Sequence, residues 1–240
     1  MSRTNPRIAV LIAASAFIAT PAHSATTTFD AGREGWSVSG RTNISPTGGN
    51  PGAHLDTALV DVFGAEIRNS TNPDFLGDLS RFNAPIRYSV DVRIESIQFD
   101  GNEVTRDIGL LLRDSDPSPD EVFPASVYLP LGEISADANG DWTTLSATID
   151  DPTQTDLPSG WIGTGATDDD LNPVLPLGRS FADVLAGVDE VQFTTFVPGE
   201  FFGFTDFAVD VDNPSLTVIP APATPAIALA GLALAARRRR

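Results

Sequence analysis

The chain has 240 residues, 19 prolines and 20 glycines, no cysteine, and 32 acidic residues against 15 basic ones, all arginine. Without cysteine there can be no disulfide, thiolate metal site or cysteine nucleophile, so stability rests on packing and on any bound cation. Every acid lies between Asp30 and Asp212, where only nine arginines accompany them, a balance of −23; such a surface repels phosphate backbones and excludes a nucleic-acid partner.

Residues 1–24 carry Arg3 and Arg7, an apolar run from Ile8 to Ala19, and Pro21-Ala22-His23-Ser24 with small residues at the −3 and −1 positions. This order predicts a secretory signal peptide cut after Ser24, the apolar run being too short to cross about 30 Å of hydrocarbon.

From residue 25 to 217 the period is two. Ile86, Tyr88, Val90, Val92 and Ile94 alternate with polar residues, which predicts a strand with one buried and one wet face. Ile97 and Phe99 then fall out of phase, so a bulge is expected near Ser96, followed by a turn at Asp100-Gly101-Asn102. The continuous run Ile108 to Leu112 suits a central strand. Asn139-Gly140 predicts a type I′ hairpin joining Val127–Ile134 to Trp142–Ile149, because both residues tolerate positive φ. Ser180 to Ala186 reads as the only helix, capped by Ser180. Val191 and Phe193, then Phe207, Val209 and Val211, mark the last strands, while Asp114–Glu121 and Asp150–Pro176 read as long surface loops. Many short strands with Gly/Pro/Asp-rich connections predict an all-β, jelly-roll-like antiparallel β-sandwich with at most one short helix.

Candidate sites are few. With the leader removed, His54 is the one histidine, and no Gly-x-Ser-x-Gly elbow accompanies it, so it reads as a surface-loop residue and the chain as a non-enzyme. An Asp/Glu pair for glycan hydrolysis stays open as an alternative, because spacing in sequence does not report carboxylate separation. Asp206, Asp210 and Asp212 project from one face of the last strand, where Asp30 could join them to hold a structural calcium. Trp161, in a long loop between glycines, and Phe201 and Phe202 are candidate sugar-stacking rings, whereas Trp36 and Trp142 read as core.

At the C-terminus, residues 218–240 run from Pro220-Ala221-Pro222 through the apolar stretch Ala223–Ala236 to Arg237, Arg238, Arg239 and Arg240. Arginines beside an apolar segment favour a cytoplasmic end. Pro-x-Pro, apolar helix and arginine cluster in this order resemble the PEP-CTERM sorting signal of bacterial surface proteins, with Ala221 in place of glutamate and Pro225 inside the run. The resemblance implies an exosortase-type processing enzyme, a transient membrane anchor through the C-terminal helix, and a link to extracellular polysaccharide. Gly48-Gly49-Asn50-Pro51-Gly52, then Phe75-Leu76-Gly77-Asp78-Leu79-Ser80, then the strand at Ile86–Ile94, with the opening Phe29-Asp30 and Gly35-Trp36, resemble the laminin IV (laminin B) module. That resemblance implies a sandwich related to carbohydrate-binding domains and supplies no catalytic residues. Together these readings predict an exported, non-catalytic protein of the cell surface, envelope or matrix that associates with extracellular polysaccharide or surface proteins. A purely structural envelope role is the remaining alternative.

Overall fold

The computed structural model describes residues 23–116, 123–137, 139–201 and 203–220. In chain order the strands are β1 (Ser24–Thr26), β2 (Trp36–Val38), β3 (Arg41–Gly49), β4 (Gly52–Val62), β5 (Glu66–Asn69), β6 (Ile86–Phe99), β7 (Asn102–Glu103) and β8 (Arg106–Asp114). They continue as β9 (Ala125–Ile134), β10 (Thr143–Ile149), β11 (Ile162–Thr164), β12 (Ala166–Thr167), β13 (Pro173–Val174), β14 (Glu190–Thr194) and β15 (Thr205–Val218); among the described residues there is one α-helix, α1 (Phe181–Ala186), before β14, and a short 3-10 turn at Ser80–Phe82.

Two antiparallel sheets face each other across one core. The first has the order β10-β6-β15-β4-β3, with β1 on β15 and β7 on β6; the second runs β11-β9-β8-β14-β5-β2. The period-two alternation decides which side chains meet between them. Tyr88, Val90 and Val92 of β6 and Val211 of β15 point inward from the first sheet, against Leu110, Leu112, Val127, Val191 and Phe193 from the second. Each such aliphatic or aromatic side chain contributes about 1.5–3 kcal/mol when removed from water. Trp36 is core as expected, edge-on to Phe75 at 5.2 Å and stacked near Phe193 at 6.5 Å. The buried Tyr88 hydroxyl donates to the Phe75 carbonyl at 2.7 Å, which pins the Phe75–Ser80 segment to the core.

The phase slip in β6 is a bulge: Ser96 pairs with Ala208 but Ile94 with Val209, so Glu95 is the extra residue and Ile97 returns to the core. Asp100 and Gly101 both have positive φ in the turn to β7. Helix α1 begins as predicted: Ser180 Oγ accepts from the Asp183 amide while the Asp183 carboxylate accepts from the Ser180 amide, a capping box.

One pairing differs from expectation. Val127–Ile134 and Trp142–Ile149 do not form a hairpin, because β9 pairs with β8 and β11 in the second sheet while β10 pairs with β6 in the first. The chain does turn at Gly140, which has φ +67° and donates to the Asp137 carbonyl at 3.0 Å, but the turn carries it from one sheet to the other. Both strands bury one alternating face, and that pattern is satisfied equally by a neighbour in the same sheet or by a partner brought from residue 86.

The predicted leader through residue 22 and the tail from residue 221 lie outside the described residues. Ser24, at the expected cleavage point, pairs with Thr217 in β1, and the His23 carbonyl accepts from the Val218 amide at 2.9 Å. No helix among the described residues is long and apolar enough to cross a membrane.

Candidate functional site

The outward face of the second sheet carries polar side chains that are nevertheless buried. In β8, β9 and β14 the inward positions are apolar, which leaves Leu111, Arg113, Ser126, Tyr128, Glu190, Gln192 and Thr194 on the opposite side. The register sets Arg113 beside Glu190 and Leu111 beside Gln192. Arg113 Nη1 donates to Glu190 Oε1 at 2.7 Å, Gln192 Nε2 donates to the same oxygen at 2.6 Å, and Arg68 Nη1 lies 4.0 Å from Oε2. A carboxylate removed from water needs such partners, so this network is held rigidly.

Two connections fold over this face and make it a cleft. The segment between β10 and α1 crosses it as the β12–β13 hairpin, packed so closely that a Cβ on Gly163 would lie 2.7 Å from Leu175. The strap Phe196–Phe201, between β14 and β15, closes the other side. The groove between them has a volume of about 920 Å³, with Arg113 and Ser126 on the floor and Phe123, Leu177 and Phe196 on the walls. Those three apolar side chains are 65%, 102% and 41% exposed, whereas Arg113 is a fixed donor below them. An open cleft with apolar walls and a few preorganised polar groups is the usual form of a ligand site.

The predicted stacking residues separate. Trp161 is not an exposed platform: it is 8% exposed and stands edge-on to Phe181 of α1 at 5.1 Å, so it anchors its loop to the core. The sequence could not distinguish these roles, since a tryptophan between glycines serves either. Phe201 is 85% exposed, 5.5 Å from the ring of Phe63, on which Phe204 also stacks at 4.2 Å. Together with Phe196 and Glu200, Phe63 and Phe201 line a second hollow of about 190 Å³. The side chain of Phe202 lies outside the described residues, as do Ala221, Pro222 and Arg237–Arg240 of the sorting signal, and Pro220 closes the described chain.

The predicted calcium ligands share a face but not a site. Asp206 and Asp210 are four residues apart on one strand, roughly 13 Å at strand rise, too far for one ion. Asp206 accepts from the Asp61 amide at 2.8 Å, and Asp30 from the Ala53 amide at 3.1 Å. Asp210 is buried and accepts from Arg93 Nε at 2.8 Å, with His54 Nε2 3.4 Å away. Asp212 is fully buried and accepts from the amides of Asn50 at 2.5 Å and Asn213 at 2.7 Å. Among the described residues no three carboxylate or histidine side chains converge as a metal site.

This same face corrects two other readings. His54 is a buried strand residue of β4, 4% exposed, and not a surface-loop group. Trp142 is half-buried on the outer side of the first sheet, with the Arg93 guanidinium 4.9 Å over its ring and His54 edge-on at 5.8 Å. Its even number was the available signal, because Leu145, Ala147 and Ile149 put the odd positions of β10 inward.

No family model and no curated protein matches the chain. Among solved structures, it is similar to the CBM22-1–GH10 modules of a Clostridium thermocellum endo-1,4-β-D-xylanase complexed with xylohexaose, at 15% identity, 81% of this chain, 28% of that one and a TM-score of 0.43. A tandem CBM22-1–CBM22-2 domain from a Paenibacillus barcinonensis xylanase matches at 11% identity, 82% of this chain, 48% of that one and a TM-score of 0.47. A family 30 carbohydrate-binding module matches at 12% identity, 82% of this chain, 86% of that one and a TM-score of 0.38. The chain thus spans about a quarter to a half of the first two.

Proposed function

We propose that this chain is an exported, non-catalytic β-sandwich module that binds a neutral polysaccharide in the groove on the outer face of the second sheet. The observation that carries this reading is the groove itself: a cleft of about 920 Å³ with Ser126 and Arg113 on its floor, the guanidinium fixed by the neighbouring Glu190, and exposed phenylalanine walls. Sugar rings present apolar C–H faces and a belt of hydroxyls, so they need both surfaces at once. The Glu190 carboxylate beside Arg113 is already held by Arg113 and Gln192, which suits positioning and not proton transfer. The acidic body favours an uncharged polymer over an anionic one, because like charges are repelled on approach. The leader and the PEP-CTERM-like tail support delivery to the cell surface or extracellular matrix, with processing by an exosortase-type enzyme and transient membrane attachment through the tail.

The test is retention of the purified chain on insoluble xylan and on agarose, with alginate as the anionic control. Binding to a neutral polymer that falls about tenfold or more in Phe196→Ala or Phe123→Ala supports the groove. Equal retention of wild type and both variants, or preference for alginate, counts against it. Mass spectrometry of the mature protein from its host reports the two processing events directly.

A further inference from the structure

The strap Phe196–Phe201 stands between two spaces. Phe196 lines both the groove and the smaller hollow, whereas Glu200 and Phe201 line only the hollow. On the outward face of the second sheet lies Tyr128, wholly buried, its ring laid over Gly109. A Cβ on Gly109 would sit 2.2 Å from Tyr128 Cζ and 2.4 Å from its hydroxyl, so only glycine leaves room for the ring. Among the described residues the Tyr128 hydroxyl has no hydrogen-bond partner. Burial pushes this phenol up, and the carboxylates of Asp107 and Glu200 push it the same way, so it stays a neutral donor at physiological pH. A buried donor without an acceptor is unfavourable in the free protein, and native structures rarely keep one without a use.

The strap's fastenings are at its stem. Thr195 exchanges two hydrogen bonds with Ala65, its amide donating at 3.0 Å and its hydroxyl accepting at 2.8 Å. Beyond that point the described bonds are local: the Phe196 amide to Thr194 Oγ1 and the Glu200 amide to the Val197 carbonyl, both 3.1 Å. Gly199 sits at φ +81° in between, a conformation that lets the strap arch away from the sheet.

Resting on the reading of the groove as a polysaccharide site, we propose that groove and hollow are two ends of one longer cleft. The strap lifts to join them, and the Tyr128 hydroxyl then donates to a sugar oxygen of a neutral chain running from Arg113 to the rings of Phe63 and Phe201. Glu200 and Asp107 accept from sugar hydroxyls on either side of that bond. The occupant is therefore a polymer bound along its length, and short oligosaccharides fill the groove alone.

The experiment compares the full chain with Tyr128→Phe and Glu200→Ala, using xylotriose and xylohexaose as soluble probes after retention on insoluble xylan. The wild type is expected to bind xylohexaose more tightly than xylotriose. Tyr128→Phe should weaken xylohexaose about tenfold while leaving xylotriose within about twofold, since one hydrogen bond is lost from only part of the cleft. The thermal midpoint should not fall, because phenylalanine keeps the ring over Gly109 and removes the unpaired hydroxyl. Glu200→Ala, on the exposed strap, should show the same length dependence, and amide exchange across Phe196–Phe201 should change with xylohexaose only. Equal affinities for the two lengths, or Tyr128→Phe affecting both probes alike or neither, would overturn the joined cleft while leaving the groove intact. A wild type not held by xylan or agarose overturns the groove reading and this one with it.

Discussion

The carboxylate of Asp212 accepts the backbone N–H of Asn50 at 2.5 Å, across 162 positions of sequence. This bond ties the β3–β4 turn to the centre of the first sheet. Asn50 Nδ2 and Asn213 Nδ2 both donate to Asp91 Oδ2, at 3.1 and 3.0 Å, so two carboxylates share one small polar enclosure. A Cβ on Gly49 would lie 2.6 Å from Asp212, which explains glycine at that point.

That enclosure makes stability depend on pH. Burial raises the Asp212 carboxyl above its ordinary value, with the nearby Asp91 charge acting in the same direction. The native state therefore holds this proton more tightly than the unfolded chain, and Asp212's contribution is fullest below the ordinary carboxylate range and declines as pH rises through the raised value. Asp212→Asn should cost about 1–3 kcal/mol near neutrality, because its amide group meets the Asn50 N–H as a second donor. Urea unfolding across pH 4 to 7 checks this; pH curves for wild type and variant that differ only by a constant would contradict it.

Arg93 neutralises the buried Asp210 and covers Trp142. Arg93→Met keeps the stem but takes the guanidinium from the buried carboxylate, leaving His54 beside it, and should destabilise by about 3–5 kcal/mol. Asp210→Asn in the same background should restore part of the loss. Additive effects in the denaturant-based double-mutant cycle would mean that the two side chains do not interact energetically.

Trp161→Ala should cost about 3–5 kcal/mol through loss of its contact with Phe181 and the cavity left behind. Because the indole is turned into the core, xylan retention of the folded variant should match the wild type. A variant of unchanged thermal midpoint with weakened retention would restore Trp161 to the binding surface.

Chelation should leave the unfolding midpoint where it is, because Asp210 is held by arginine and Asp30, Asp206 and Asp212 by backbone amides. Thermal unfolding in EDTA and in millimolar calcium measures this directly. A midpoint that drops on chelation and returns with calcium would show a site that these contacts do not form.

Much of the sandwich was readable because burial on one face writes itself into the chain as alternation. The strand at Ile86–Ile94, its bulge, the turn at Asp100-Gly101 and the capped helix at Phe181 are local, each decided by neighbours a few residues away. Partner choice is not local. Asn139-Gly140 is as good a hairpin signal as the sequence contains, yet β10 pairs with β6, because an alternating strand is satisfied by any edge that buries its apolar face.

The site followed the same division. Aromatic type and loop context suggested Trp161 and Phe201 together, but only tertiary packing turned one ring into the core and left the other in water. The sequence by itself determined the periodicity, the acidic charge, the lack of thiol chemistry and the two address-like ends. Tertiary structure alone decided that Arg113 meets Glu190 beside the groove, and that Tyr128 lies over Gly109 with no hydroxyl partner among the described residues. Strand pairing joins Arg113 to Glu190 across 77 positions, and no pattern confined to a short window encodes that distance.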